Sequence, residues 1–326
     1  MKVRILIAVA GVLVLAGAAV AYVGFASARG HDVTATGAIS LSPGPRLLFR
    51  STADADRGHI ATVSTTDPGG PRTVSPLSCS RVYAAGGTGL CLRPDGDLTT
   101  YQLAVLDAQL TSKREIPLVG LPNRARVSAD GRMLAWTVFV TGDSYNGGMF
   151  STRAGILDTA TGDLAGTLED YAVTLDGKPY QAADLNFWGV TFTADDRHFY
   201  ATMSSAGHRY LVAGDFAAHT IRTIRENVEC PSLSPDGTRV AFKAAVDGDP
   251  ARGWRLSVLD LAASKVTPLA ETRSVDDQPA WLDDHTIGYG VARGPGHADV
   301  WSVPADGTGA PRLLIPEAES PAALGS

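Results

Sequence analysis

The chain has 326 residues, 44% of them hydrophobic and only 19% charged, with 35 Gly and 19 Pro spread along its length. That size exceeds one ordinary core, so the chain holds two domains, a repeat array or a large all-β form, and the many turn formers favour short elements over disorder. A net charge of −6 from interspersed acids, with no basic stripe, excludes nucleic-acid binding by counterion release and points to no cationic partner.

At the N-terminus, Lys2 and Arg4 precede an uncharged run, Ile5 to Ala26, of 22 residues. A run of that length spans a bilayer core, and the basic residues before it hold the N-terminus in the cytoplasm. Residues 1–28 are therefore expected to be a transmembrane signal anchor, with the rest of the chain outside a cell membrane crossed once. Ala26 and Ala28 also form an A-x-A site, so a signal peptide cleaved near Ala28, with secretion, is the alternative. Residues 29–36 read as a linker, and no cysteine stands where a lipoprotein would need one.

Beyond the linker one pattern recurs: a turn rich in Asp or Gly, then a short β-prone strand. The clearest copy is Ser234-Pro235-Asp236-Gly237 before Val240-Ala241-Phe242. Others are Ser128-Ala129-Asp130-Gly131 before Leu134-Ala135-Trp136, Thr193-Ala194-Asp195-Asp196 before Phe199-Tyr200-Ala201, and Leu282-Asp283-Asp284 before Ile287-Gly288-Tyr289. Weaker copies begin at Ser42-Pro43-Gly44 and Gly86-Gly87-Thr88. The turns fall at 43, 86, 130, 195, 236 and 283, so each interval is one propeller blade, with an insertion in the third. A second register agrees: strands ending at Ser64, Asp107, Asp158, Asp215, Asp260 and Pro304 follow each unit, six again. The prediction is an all-β six-bladed β-propeller over 37–316, closed by a strand near Val33 to Ser40, with 317–326 as a C-terminal tail. The recurring aspartates are expected to serve turns, where Asp bonds backbone amides two residues on.

The segment Leu233 to Phe242, reading LSPDGTRVAF, resembles the repeat of TolB-like propellers, and the six copies extend the likeness over roughly residues 38 to 316. It is similar in particular to actinobacterial TolB-like proteins with an N-terminal hydrophobic segment. The resemblance implies the propeller fold and the binding-platform class, and carries no functional residue with it.

Enzymatic readings find little in the residues. A sialidase Asp box needs S-x-D-x-G-x-T-W, whereas Asp236 is followed directly by Gly237 and no Trp closes the motif. No G-x-S-x-G elbow accompanies the propeller. The seven His are scattered, no Cys-x-x-Cys exists, and Asp247-Gly248-Asp249 lacks the further acids calcium needs. No metal and no cofactor is expected.

Export would allow one disulfide among Cys79, Cys91 and Cys230. Cys79 with Cys91 is the local choice, although the hairpin register around Gly86-Gly87 sets Cys91 opposite Val82, so Cys79 would have to fold back. Three reduced, buried thiols is the competing reading.

In a propeller the Asp-Gly turns between first and second strands share one face. The blade-to-blade loops and the loops between second and third strands share the other. Two long insertions, 141–152 and 171–186, are expected on that second face over blades 3 and 4. Their aromatic and polar residues, Tyr145, Asn146, Phe150, Tyr171, Tyr180, Asn186 and Trp188, are candidates for a ligand-binding surface. Asn123, Arg124, Trp188, Glu229, Asp276 and Asp277 are expected to ring the channel mouth. The competing reading is that the aromatics plug the channel. The chain is thus expected to be a non-enzymatic binding or scaffold propeller of the bacterial cell envelope, its partner an envelope protein or a glycan. The alternative is a glycan-active hydrolase or lyase using acids at the mouth. Asp276 and Asp277, as sequence neighbours, make a poor acid/base pair on a strand.

Overall fold

The computed structural model describes residues 36–96, 100–140 and 151–325, and the expected anchor over 1–28 and nearly all of the linker lie outside them. Among the described residues no helix is long and apolar enough to cross a membrane. The helical pieces among them are single 3₁₀ turns at Leu168–Asp170, Val246–Gly248 and Pro250–Arg252.

Among the described residues twenty-six strands fall into six sheets, five of four strands and one of six. Adjacent strands are antiparallel except for one parallel pair at the outer edge of the six-stranded sheet, and apolar residues from both faces pack against the neighbouring blades. Alternation is weak in the two middle strands, such as Met133–Val140, because both their faces are covered. The inner strands are Ala318–Ala323 (blade 1), Arg81–Ala85 (blade 2), Leu121–Val127 (blade 3), Asn186–Phe192 (blade 4), Glu229–Leu233 (blade 5) and Ala280–Trp281 (blade 6). They contact one another in that cyclic order, which closes the ring.

The turns behave as the repeat predicts. In blade 5, Ser234 Oγ donates to Asp236 Oδ1 at 2.5 Å, Thr238 N to the same oxygen at 2.9 Å, and Arg239 N to Ser234 Oγ at 3.0 Å. Blade 3 repeats this through Ser128 and Asp130, and blade 4 through Thr193 and Asp195. The second register is equally structural: Asp107, Asp158, Asp215 and Asp260 accept backbone N–H bonds in the turns between third and fourth strands.

Two expectations are corrected. Residues 317–326 are not a tail: Ala318–Ala323 pairs with Arg46–Ser51 as the inner strand of blade 1. The described residues near Ser40 form no strand; Ile39 and Leu41 pack instead into the core between blades 1 and 2. Closure by the C-terminus satisfies the inner edge of Arg46–Ser51, whose amides would otherwise face an apolar interior. The second correction concerns 171–186. It is not a loop over the channel but a hairpin, Ala172–Leu175 and Lys178–Tyr180, whose first strand runs parallel to Thr220–Glu226 and extends the outer edge of blade 4. An exposed edge strand offers unpaired backbone groups, and the hairpin covers them. Most of the other insertion, 141–150, lies outside the described residues.

Cys79 and Cys91 are joined in a disulfide, with Cα atoms 5.5 Å apart. Cys91 does face Val82 in the register, and Cys79 reaches it from the link between Thr73–Ser78 and Arg81–Ala85, where its N–H is held by Gly58 O at 2.9 Å. Cys230 is a free, buried thiol.

Candidate funnel at the channel mouth

The inner strands of blades 1, 4 and 5 share a bulge. Ser320, Gly189 and Cys230, at equivalent positions, have φ of +54°, +64° and +50°, and the ladder register slips beside each. Only at Gly189 does the space require glycine, since a Cβ there would lie 2.8 Å from Cys230 Cα on the neighbouring strand. The bulges re-aim the residues just before them, Glu319, Trp188 and Glu229, at the start of each inner strand.

Deeper along the axis polar side chains tie the inner strands to one another. Arg126 of blade 3 donates from Nη2 to Pro279 O of blade 6, directly opposite, at 3.1 Å, and its guanidinium lies 4.3 Å from the centre of the Tyr83 ring. Gln278 donates to Pro231 O at 2.8 Å, and Trp281 Nε1 to Ser232 O at 2.8 Å, both across to blade 5. At this level the mouth holds a small funnel of about 30 Å³, lined by Arg81, Asn123, Arg124, Arg126, Asp277 and Gln278 among others, with Ser320 and Pro321.

The charges around it are largely paired. Glu229 is 4% exposed; its carboxylate lies 2.5 Å from Arg209 Nε and 3.3 Å from Lys243 Nζ. Burial pushes the Glu229 carboxyl up, and Lys243 and Arg209 pull it back. Lys243 also grips Asp276 and stands 4.0 Å over the Trp254 ring. Burial works against charge on Asp276, but the Lys243 ammonium outweighs it and holds the carboxyl below its usual range. Asp277 accepts from Gly290 N at 3.0 Å. Glu319 is shared by Arg50 at 2.9 Å and Arg81 at 3.4 Å. Arg126 has no ion pair among the described residues and an unpartnered Nε. Arg124 is likewise an exception: it is 9% exposed, donates from Nη1 to Asn123 O at 3.1 Å, and stands 4.0 Å from Asp276, beyond hydrogen-bond reach. Its Nε has no partner.

The candidate residues therefore separate. Asn123, Arg124 and Asp277 line the funnel, with Glu229 and Asp276 in the ion-pair network beside them. Asn186 is buried and used structurally, accepting from Thr152 N at 2.8 Å to tie blade 3 to blade 4. Trp188 is half-buried on the inner strand of blade 4. Tyr171 does not reach the mouth: it is buried, stacked 4.8 Å from His219 and close to Phe216, in the turn on the opposite face. Tyr180 bonds Ser205 at 2.8 Å on the outer hairpin. The hairpin's pairing with the edge of blade 4 carries both tyrosines away from the axis. Tyr145, Asn146 and Phe150 lie outside the described residues. Lys243, Arg209, Arg126 and Trp254 were not expected; each sits in a strand where its neighbours read as ordinary alternation, and only ring closure brings them together.

No protein-family model matches the sequence, and no curated protein matches it. Among solved structures, TolB from Acinetobacter baumannii superposes with a TM-score of 0.63 at 16% identity, covering 86% of this chain and 67% of that one. The fold is TolB-like. A provisionally named TolB from Agrobacterium tumefaciens aligns over 84% of this chain and 90% of its own at 12% identity, TM-score 0.48. Hydrazine synthase of Kuenenia stuttgartiensis aligns over 83% and 78% at 16% identity, TM-score 0.46. At these identities the likeness is one of fold. Among the described residues the ring carries a charged depression at the channel mouth. Among the described residues no group of His, Cys, Asp and Glu is arranged to hold a metal ion.

Proposed function

We propose that the chain is a non-enzymatic binding propeller of the cell envelope, held outside the membrane by Ile5 to Ala26 and presenting the funnel face to its partner. The observation that carries this reading is the state of the acids at the mouth. Glu229, Asp276, Asp277 and Glu319 are each bonded to a cation or a backbone amide, so no carboxyl pair stands free to divide acid and base roles. Asp276 and Asp277 turn to different partners, Lys243 and Gly290 N, which favours binding over the paired-acid chemistry of a glycan hydrolase. A rigid scaffold with a preformed, charged depression suits recognition. The disulfide between Cys79 and Cys91 supports an oxidising compartment, and the length of the hydrophobic run supports attachment.

The test places a photo-crosslinking residue at Trp188 and, separately, at Thr161 on the opposite face, in the full chain in its own cells. A discrete adduct from Trp188 and none from Thr161 is expected. Equal labelling from both faces, or release of saccharide that Glu229→Gln abolishes, would overturn the reading. Mass spectrometry of the mature N-terminus decides attachment, and a chain beginning at Arg29 sinks the anchor.

A further inference from the structure

We infer that the funnel is a receptor for a single carboxylate group of a ligand, seated on Arg124. The inference deepens the binding role proposed above and rests on it. Three arginines, Arg81, Arg124 and Arg126, line the cavity against one aspartate, Asp277, in a protein whose net charge is −6. The depression is thus locally inverted in sign and favours an anion.

The three cations are not equivalent. Arg81 shares Glu319 with Arg50 and reaches Ser320 Oγ at 3.3 Å. Arg126 is engaged by Pro279 O and the Tyr83 ring. Lys243, just outside the cavity, is occupied by Glu229 and Asp276. Arg124 has neither a carboxylate within hydrogen-bond reach nor an aromatic face, its nearest counter-charge being Asp276 at 4.0 Å, and its Nε, like that of Arg126, is buried and unpartnered. A buried, unsatisfied donor on a charged group is costly, and natural structures keep one where something else completes it. Nη1 is spent on Asn123 O, so the free edge of the guanidinium is the one that presents Nε. Two parallel N–H groups on that edge match the two oxygens of a carboxylate.

The charge count also selects among anions. A monoanion is favoured over a phosphate dianion, which would bring a second negative charge toward Asp277 and Glu319. A cavity of about 30 Å³ has room for the two oxygens of one carboxylate and leaves the remainder of the ligand to the rim. The rim carries exposed Val119 and Leu121, in the link leading to Asn123.

The test is a ¹⁹F NMR titration of trifluoroacetate into the full chain, with sodium acetate and inorganic phosphate as competitors at matched ionic strength. Broadening that acetate relieves is expected, with phosphate relieving it less. Arg124→Gln should weaken binding at least ten-fold, while Lys265→Gln, on the outer strand of blade 5, should leave it unchanged. Equal broadening in Arg124→Gln overturns the site, and stronger competition by phosphate overturns the carboxylate. If Arg124→Gln fails to fold by circular dichroism, Arg124→Lys decides: it keeps the charge but not the fork, and full retention of binding overturns the paired geometry. Loss of this site alone would leave funnel-face crosslinking from Trp188 intact, so its failure is distinguishable from failure of the binding role.

Discussion

Lys243 lies with its ammonium between Glu229 and Asp276 and over the face of Trp254, with only 5% of its side chain exposed. Burial alone would lower its pKa, but the opposing carboxylates keep it raised and charged. Removing the cation leaves Glu229 buried with Arg209 as its one remaining partner. Breaking one side of such a pair costs about 3 kcal/mol or more, because the other charge stays desolvated. Lys243→Met is therefore expected to lower stability by about that amount in urea denaturation, and Lys243→Met with Glu229→Gln to recover part of it. A loss below about 0.5 kcal/mol would show the network to be solvated. Asp196 makes the opposite case. It occupies the place of glycine in the repeat turn, at φ +54°, and its carboxyl lies near that of Asp130 of blade 3. Burial, then Asp130, push its carboxyl up to about 6. Asp196→Gly removes both the strained backbone and the like-charge contact, and should raise Tm more at pH 8 than at pH 5. An equal change at both would confine the effect to the backbone.

At the scale of elements, legibility followed side-chain chemistry. The turns of blades 3 to 6 were readable because an Asx turn needs Asp at that spacing, and with the weaker glycine-bearing copies of blades 1 and 2 they gave the blade number before any contact was known. The closing strand was not readable. Ala318 to Ala323 reads AESPAA, poor in β-branched and aromatic residues and carrying a proline, and it is a strand because the open edge of Arg46–Ser51 recruits it. The hairpin over 172–180 was seen as an insertion but misplaced, because its partner, the edge strand Thr220–Glu226, is 40 to 50 residues away in sequence. For the site, Asn123, Arg124 and Asp277 were reachable from blade register, whereas Arg126 and Lys243 look like ordinary strand residues until the ring sets blades 3 and 5 against blade 6. Ending the chain at Pro316 tests the closing strand. It removes Glu319 from Arg50 and Arg81 as well as the ladder to blade 1. Calorimetry should then show loss of the single cooperative transition, while a chain that melts unchanged would mean the ring closes without it.

Over the whole molecule, the titrating groups divide by sign. Asp158 and Asp215 are held at about 2, chiefly by Arg132 and Arg197, so their contribution is present above the ordinary carboxylate pKa and fades as pH falls from about 4 toward 2. Glu169 acts the other way. One oxygen is buried without a partner, the other accepts from Thr167, and burial pushes the carboxyl up to about 7. The folded chain then holds a proton that the unfolded chain releases near 4.5, so stability declines as pH rises from about 4.5 to 7 and levels off above that. Asp196, raised to about 6, adds to the same decline. Tm should therefore peak near pH 4 to 5. Glu169→Gln, which keeps the shape and the Thr167 contact without the charge, should raise Tm at pH 8 by roughly 2–4 °C and leave it unchanged at pH 4.5. Combining it with Asp196→Gly should flatten more of the alkaline side than either alone, leaving what Glu229 contributes, since Glu169 sits in the 3₁₀ turn Leu168–Asp170 and Asp196 in the first turn of blade 4 and their effects should add. A wild-type Tm that is constant from pH 5 to 8, or a Glu169→Gln curve parallel to wild type, would show that Glu169 is ionised in the folded ring and that the decline has another source.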